Sequence, residues 1–284
     1  MNHKKRHIVC KTHAGLCNRI KCFLSASRLA QQDDREVKVY WPMNHKCGGS
    51  FSSLFVSDVK VIEKPENGTV YNRNDLVNLS NNNILIINTW RFAITIEEWY
   101  RGVREIDFLY DKTKIDVEVR NALQSLICSL QFSDQINDFV TTFVNRFFHN
   151  YMIGVHMRRT DHVIAKRCSP DAAFYHAIQN ALKKNNKARL FLSTDCAKTE
   201  NMMKKQFPDR CLTIGKSFGA RKHRYSVEEA LVELLLLSKT NKIIGSYAST
   251  FTELAWWFSG FKQIDIAIDK SVVNKLSFDD HISI

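Results

Sequence analysis

Four prolines and ten glycines in 284 residues are too few for a collagen-like or low-complexity chain, and 44% hydrophobic content points to a compact globular protein. No apolar run approaches the ~20 residues needed to span a bilayer. The longest, 230–237, is short and interrupted by Glu233. The amino terminus, Met-Asn-His-Lys-Lys-Arg-His, runs straight into a strand pattern with no secretory hydrophobic segment behind its charges. The eight cysteines (Cys10, Cys17, Cys22, Cys47, Cys128, Cys168, Cys196, Cys211) form no C-x-x-C pair and no framework spacing, so they read as reduced thiols in a reducing compartment. The expectation is a soluble, cytoplasmic protein without a transmembrane segment, compatible with peripheral membrane contact. The sequons Asn67-Gly-Thr69 and Asn78-Leu-Ser80 would go unused there.

Other absences narrow the chemistry. No two aspartates stand two apart, so the D-x-D that holds a divalent ion in metal-dependent transferases is missing. Gly215-Lys216-Ser217 resembles the end of a P-loop, but the required first glycine falls at Arg210. His3, His7 and Cys10 straddle a terminus and a strand and make a poor zinc set, so no metal site is expected. The net charge of +12 favours anionic partners. Its cations are spread over 4–6, 183–187, 204–210 and 216–224 and not gathered in one tract with interleaved aromatics, which argues against nucleic acid and places most lysines on solvated helix faces.

What the chain does have is alternation. The first half opens with a strand at 6–11, a turn His13-Ala-Gly-Leu-Cys-Asn-Arg19, a helix to about Gln32 and a strand at 36–41, a βαβ unit. Short strands near 59–62 and 84–88 and several helices within 94–148 follow. The second half predicts strands at 152–157, 188–193, 211–214, 242–246 and 263–268, with helices at 170–184, 197–207, 227–239 and 251–259 between them. Such alternation needs crossover connections, hence an α/β fold with mostly parallel sheet. Ser169-Pro170 predicts an N-cap with proline in the first helical position, and Ser226-x-x-Glu229 and Thr250-x-x-Glu253 predict capping boxes. The boundary between an N-terminal lobe, 1–150, and a C-terminal lobe, 151–284, is placed near 149–151.

The most informative segment is 151–161, where an apolar strand ends in Arg158-Arg159-Thr160-Asp161, flanked by His156 and His162. In parallel sheets this is the ligand edge. Two adjacent guanidiniums there suit a bound diphosphate, their planar forks matching phosphate better than lysine would. The competing reading is a structural Arg-Asp ion pair. Ser193-Thr194-Asp195 and Gly245-Ser246-Tyr-Ala-Ser249-Thr250 close other strands at the same edge, the latter leading into a helix N-terminus that favours phosphate. Gly15, Asn18 and Arg19 occupy the first βα turn of the other lobe, where glycine lets backbone approach a ligand.

Taken in order, Gly15-x-x-Asn18-Arg19, His156-x-Arg158-Arg159-Thr160-Asp161, Ser193-Thr194-Asp195, Arg224-Tyr225-Ser226 and Ser246-x-x-Ser249-Thr250-Phe251 resemble the superfamily of alpha-1,6- and protein O-fucosyltransferases. The likeness runs from about Tyr151 to Phe258 and is closest to the alpha-1,6 branch, including the nodulation enzymes. It implies a GT-B-like pair of Rossmann-like lobes with a donor cleft between them. It also implies GDP-fucose as donor, inversion at the sugar carbon, a glycan acceptor and no cofactor or metal. Arg158 matches the arginine that grips the donor pyrophosphate, Arg159 its neighbour, and Ser249 a phosphate-contacting serine. His156 and Glu233 fall near the guanine, where the family usually has aspartate in place of Glu233. The donor-binding set is completed by Gly15, Asn18, Arg19, Asp195, Arg224, Tyr225, Ser246 and Thr250. The chain departs from the family in carrying Lys166 where the related alpha-1,6 enzymes have a glutamate implicated as base, and His162 where they have lysine.

Physical chemistry agrees with a metal-free transfer. Charge develops on the departing diphosphate, and Arg158, helped by Arg159, Arg19 and the helix near Thr250, supplies the balancing charge; losing one such contact costs on the order of 3 kcal/mol in the barrier. His162 is a candidate base for the acceptor hydroxyl. Asp161 competes, but beside two arginines its pKa would be low, so its assigned role is to orient them. The alternatives are another donor, GDP-mannose or UDP-xylose, and a non-catalytic nucleotide- or glycan-binding protein of the same fold.

Overall fold

The computed structural model describes residues 6–11, 14–64, 69–70, 84–87, 106–149, 151–216, 218 and 223–276. The chain divides into two units, Met1–Asp134 with Gly219–Glu228, and Gln135–Phe218 with Glu229–Ile284.

The first unit is built on β1 (His7–Lys11), α1 (Leu16–Gln32) and β2 (Glu36–Tyr40), the βαβ unit expected from sequence. After α2 (Phe51–Leu54) and β3 (Phe55–Val56) come β4 (Lys60–Val61), β5 (Thr69–Val70) and β6 (Ile84–Ile87). The sheet order is β4-β2-β1-β6-β5, parallel throughout. Helix α3 (Val117–Ser129) starts at Asp116, whose carboxylate accepts from the N–H groups of Glu118 and Val119. It leads to β7 (Gln131–Phe132), which pairs antiparallel with β3. Helix α1 is buried on nearly every side, including its cations: Lys21 Nζ lies 2.7 Å from Asp107, and both side chains are almost completely buried. A charge so placed is tolerable only with such a partner. Of the sequence expectations for this half, Asn67, Asn78, His3 and residues 94–105 lie outside the described residues.

The second unit opens with α4 (Asp134–Phe147), whose Phe143 meets Phe191 edge-on at 5.8 Å. Then follow β8 (Met152–Met157), α5 (Val163–Cys168), α6 (Asp171–Lys184), β9 (Arg189–Thr194), α7 (Ala197–Gln206) and β10 (Cys211–Leu212). Helix α8 (Arg224–Lys239) begins among first-unit residues and continues here. It is succeeded by β11 (Lys242–Ser246), α9 (Thr250–Phe258), β12 (Gln263–Ala267) and α10 (Lys270–Val273). The strands run parallel in the order β10-β9-β8-β11-β12, that is 3-2-1-4-5 within the unit. All six residues of β8 are buried, as a parallel strand covered on both faces must be. Ile153, Val155, Phe174, Ile178, Leu190, Leu192 and Ile244 form the core between sheet and helices.

The capping expectations need correction. The N-cap of α6 is Pro170 with no side-chain bond. The hydroxyl of Ser169, fully buried, instead accepts from the Tyr247 N–H at 2.8 Å. Ser226 lies inside α8, which starts two residues earlier. Helix α9 takes Ser249, not Thr250, as N-cap, and again no side chain caps it. Trp256 and Trp257 are core residues on α9, as expected for adjacent helical tryptophans.

Candidate functional site

The order of the second sheet reverses direction between β8 and β11, and in such sheets ligands bind beyond the strand C-termini at that switch. The residues following β8, β9 and β11 are the ones singled out from sequence, and the structure ties them together. Ser246 Oγ accepts from the Arg158 N–H at 2.9 Å and donates to the His156 carbonyl at 3.1 Å. The Asp195 carboxylate accepts from the Arg159 N–H at 2.7 Å, from the Thr160 hydroxyl at 2.6 Å and from Arg158 Nη1 at 2.8 Å. Thr194 Oγ1 donates to the Met157 carbonyl at 2.8 Å. Asp195, expected as a donor contact, therefore builds the 158–160 turn from below.

The two arginines take different partners. Arg158 also pairs with Asp161, so its guanidinium is held between two carboxylates. Asp161 thus pairs with Arg158, whereas Arg159, which the sequence reading assigns to it as well, goes elsewhere. Arg159 turns to Asp171, with Nε and Nη2 at 2.9 and 2.7 Å from one carboxylate oxygen, and sits 5.0 Å over the Phe174 ring. This anchors its side chain at the first turn of α6, a partner that sequence reading missed although an acid in a first helical turn is itself a recognisable signal. The guanidinium that stays with the strand end is Arg158.

His162 is the N-cap of α5, its Nδ1 accepting from the Ala165 N–H at 3.0 Å. Burial, then the neighbouring Arg158 charge, hold its pKa below the ordinary histidine value. Lys166, one turn on, donates to the Thr160 carbonyl at 2.7 Å. His156 is buried, stacked on Phe251 with centroids 4.6 Å apart, and its Nδ1 lies 2.7 Å from Thr252 Oγ1. Burial foremost, with Arg158, pushes its pKa down to about 3, so it is a neutral ring. For Asp195, burial opposes ionisation, but Arg158 and the hydrogen bonds from Thr160 and the Arg159 N–H together outweigh it and lower the pKa.

Glu233 on α8 is buried and pairs with Lys216 at 2.7 Å; burial, offset in part by Lys216 and Ser193, raises its pKa to about 7. Lys216 was set aside in the sequence because its P-loop failed, and its role as this partner was not legible. Gly245, at the end of β11, has an obligatory reason to be glycine: a Cβ there would lie 2.0 Å from Thr252 Cγ2. Ala248, between β11 and α9, adopts a left-handed φ of 49°, a strained position of the kind found around binding loops. The Ser249 side chain makes no cap bond to the first N–H groups of α9.

The other predicted residues lie in the first unit. Gly15 is the N-cap of α1 with φ −70°, a conformation open to any residue, and a Cβ would meet only the Lys46 carbonyl at 3.8 Å. Asn18 Oδ1 is buried without a partner. Arg19 is fully buried; it donates to the Ala14 and Pro42 carbonyls at 2.7 and 2.8 Å, lies 5.1 Å from the Trp41 ring centroid, and leaves Nη2 unsatisfied. Its burial lowers its pKa. Arg224 pairs with Glu228 one turn along α8, and Tyr225 is 72% exposed. A groove of about 580 Å³ beside Phe51, Phe55, Lys38 and Lys60 holds none of the predicted residues. Among the described residues, no three acidic, histidine or cysteine side chains are grouped to hold a metal ion. No described helix is long and apolar enough to cross a membrane.

No protein-family profile and no curated protein sequence matches the chain. Solved structures do. NodZ alpha-1,6-fucosyltransferase from Bradyrhizobium, soaked with GDP-fucose, superposes with a TM-score of 0.61 at 16% identity, covering 89% of this chain and 93% of that one. A mutant of Arabidopsis thaliana FUT1 in complex with GDP gives 0.60 at 14% identity, over 92% and 70% of the two chains. POFUT1 in complex with GDP gives 0.55 at 10% identity, over 94% and 99%. At such identities the likeness establishes the fold: this α/β chain is built like those GT-B-type fucosyltransferases.

Proposed function

We propose that the chain is an inverting, metal-independent glycosyltransferase that transfers fucose from GDP-fucose to a glycan acceptor. The observation that carries this reading is the placement of Arg158 at the switch point of a sheet whose fold is shared with NodZ soaked with GDP-fucose and POFUT1 in complex with GDP-fucose. On this reading the diphosphate takes the Arg158 guanidinium on one side and the N-terminus of α9 on the other. A guanidinium already held between carboxylates needs little reorganisation as charge develops on the leaving group, and its removal costs on the order of 3 kcal/mol in the barrier. Glu233, an acceptor at the end of the Lys216 side chain, is assigned to the N–H donors of the guanine ring, and His156 to the apolar wall beside it. The absence of a D-x-D pair in the sequence supports charge neutralisation by arginine rather than by a divalent ion.

The test is nucleotide release from GDP-fucose, GDP-mannose and UDP-xylose in excess chelator with a panel of glycan acceptors. Turnover with GDP-fucose is the expected result; turnover only with another donor, or only after metal is restored, contradicts the reading. One observation favours a second reading, a non-catalytic nucleotide- or glycan-binding protein of this fold: His162 caps α5 and Lys166 binds a carbonyl, so neither acts as a base in this arrangement. Tight GDP binding with no transfer to any acceptor would select it.

A further inference from the structure

Lysines that lie far apart in the sequence meet in the fold of the second unit. In an all-parallel sheet with helical crossovers, strand N-termini and helix C-termini share one edge, opposite the edge that carries Arg158 and Ser246. Helix α6 ends in Lys183 and Lys184 and is followed by Lys187; α7 ends in Lys204 and Lys205 and is followed by Arg210; α8 ends in Lys239. All of these are exposed. Arg210 Nη1 donates to the Asn186 carbonyl at 2.6 Å, drawing the loops after α6 and α7 together. The Lys239 charge contributes, after burial, to lowering the pKa of Lys262 on the next loop, so the crowding of like charge is felt there. In the connections 185–188, 207–210 and 240–241 the one carboxylate is Asp209.

A cation in a last helical turn is accounted for by the helix dipole. That does not account for cations in the loops beyond, nor for so few acids among them.

We propose that this edge of the second unit docks on an anionic bilayer surface. The patch spans the ends of neighbouring helices instead of lining a groove, and lysine, a compact hydrated point charge, suits diffuse attraction to headgroups, whereas forked recognition of a nucleic-acid backbone favours arginine. The one aromatic in those connections, Phe207, is buried and unavailable for base stacking. Docking of this kind leaves the Arg158 edge facing away from the bilayer. The proposal does not rest on the assigned reaction.

The experiment is co-sedimentation of the full chain with phosphatidylcholine vesicles, with and without phosphatidylserine, at low and high salt. Binding only to the charged vesicles, weakened by salt, is expected. Joint substitution Lys183→Glu, Lys184→Glu and Lys187→Glu is expected to lower that binding by about a hundredfold or more. The equal charge change Lys198→Glu, Lys270→Glu and Lys275→Glu, at the opposite edge of the same unit, is expected to lower it far less. Should the reversed-charge chain unfold, the same three positions changed to Gln are read instead. The proposal is overturned if charged vesicles are not bound, or if both triple variants weaken binding equally. It is also overturned if the edge substitutions weaken only binding to a nucleic-acid duplex.

Discussion

Nη1 of Arg158 lies 2.8 Å from Oδ2 of Asp195, whose other oxygen accepts from the backbone N–H of the very next residue, Arg159, at 2.7 Å. One carboxylate thus fixes both the guanidinium and the turn from which it projects. Asp195→Asn keeps an acceptor but loses the charge. It should lower stability by about 1–3 kcal/mol and GDP affinity by about tenfold, read by denaturant unfolding and calorimetry. Unchanged affinity would detach Asp195 from the positioning of Arg158.

His162 separates capping from proton transfer. Asparagine caps helices well, so His162→Asn should retain the fold and most turnover, while His162→Ala should lose about 1 kcal/mol of stability. Equal and large losses of turnover in both, with stability intact, would make the imidazole the base for the acceptor hydroxyl.

Gly245 and Gly15 should respond oppositely. Gly245→Ala forces a methyl group into Thr252, which also contacts His156, and should cost about 1–3 kcal/mol. At Gly15 the φ is permissive and the space open, so Gly15→Ala should change stability by no more than about 1 kcal/mol. Thermal unfolding of the two variants distinguishes them.

The buried titratable groups pull in opposite senses with pH. His156, ordinarily near 6.5, is held at about 3 in the fold. The unfolded chain therefore takes up its proton first, and stability falls as pH drops from 6.5 toward 3. Glu233, ordinarily near 4.5, is raised to about 7. The folded chain takes up that proton first, so its contribution grows as pH falls through 7 toward 4.5. In melting curves against pH, His156→Asn should flatten the acid-side loss and Glu233→Gln should remove the gain below neutrality.

Much of the second unit was legible in the sequence, because short strands rich in apolar residues recur between helical stretches: β8 and β11 occupy the predicted 152–157 and 242–246. The short helix α5 was not, since six residues starting at Val163 carry too little periodicity to stand out from a loop. Short strands such as β3, β5 and β7 hold two residues each and leave no pattern at all. In the site, the members after each strand were identifiable because topology gathers strand ends. Their mutual partners were not: that Arg159 goes to Asp171 and Glu233 to Lys216 depends on which helix face meets which loop. The lysine clusters show the same limit, scattered along the chain and adjacent in space.

On the proposed reading, the Arg158 guanidinium receives the diphosphate of a guanosine nucleotide without a metal. Calorimetric titration of GDP into the intact chain and into Arg158→Ala, in excess chelator, tests it most directly. Binding to the former and at least about a hundredfold weaker binding to the latter, on the order of 3 kcal/mol, is expected. Equal affinity in the two, or binding that appears only when a divalent cation is added, would contradict it.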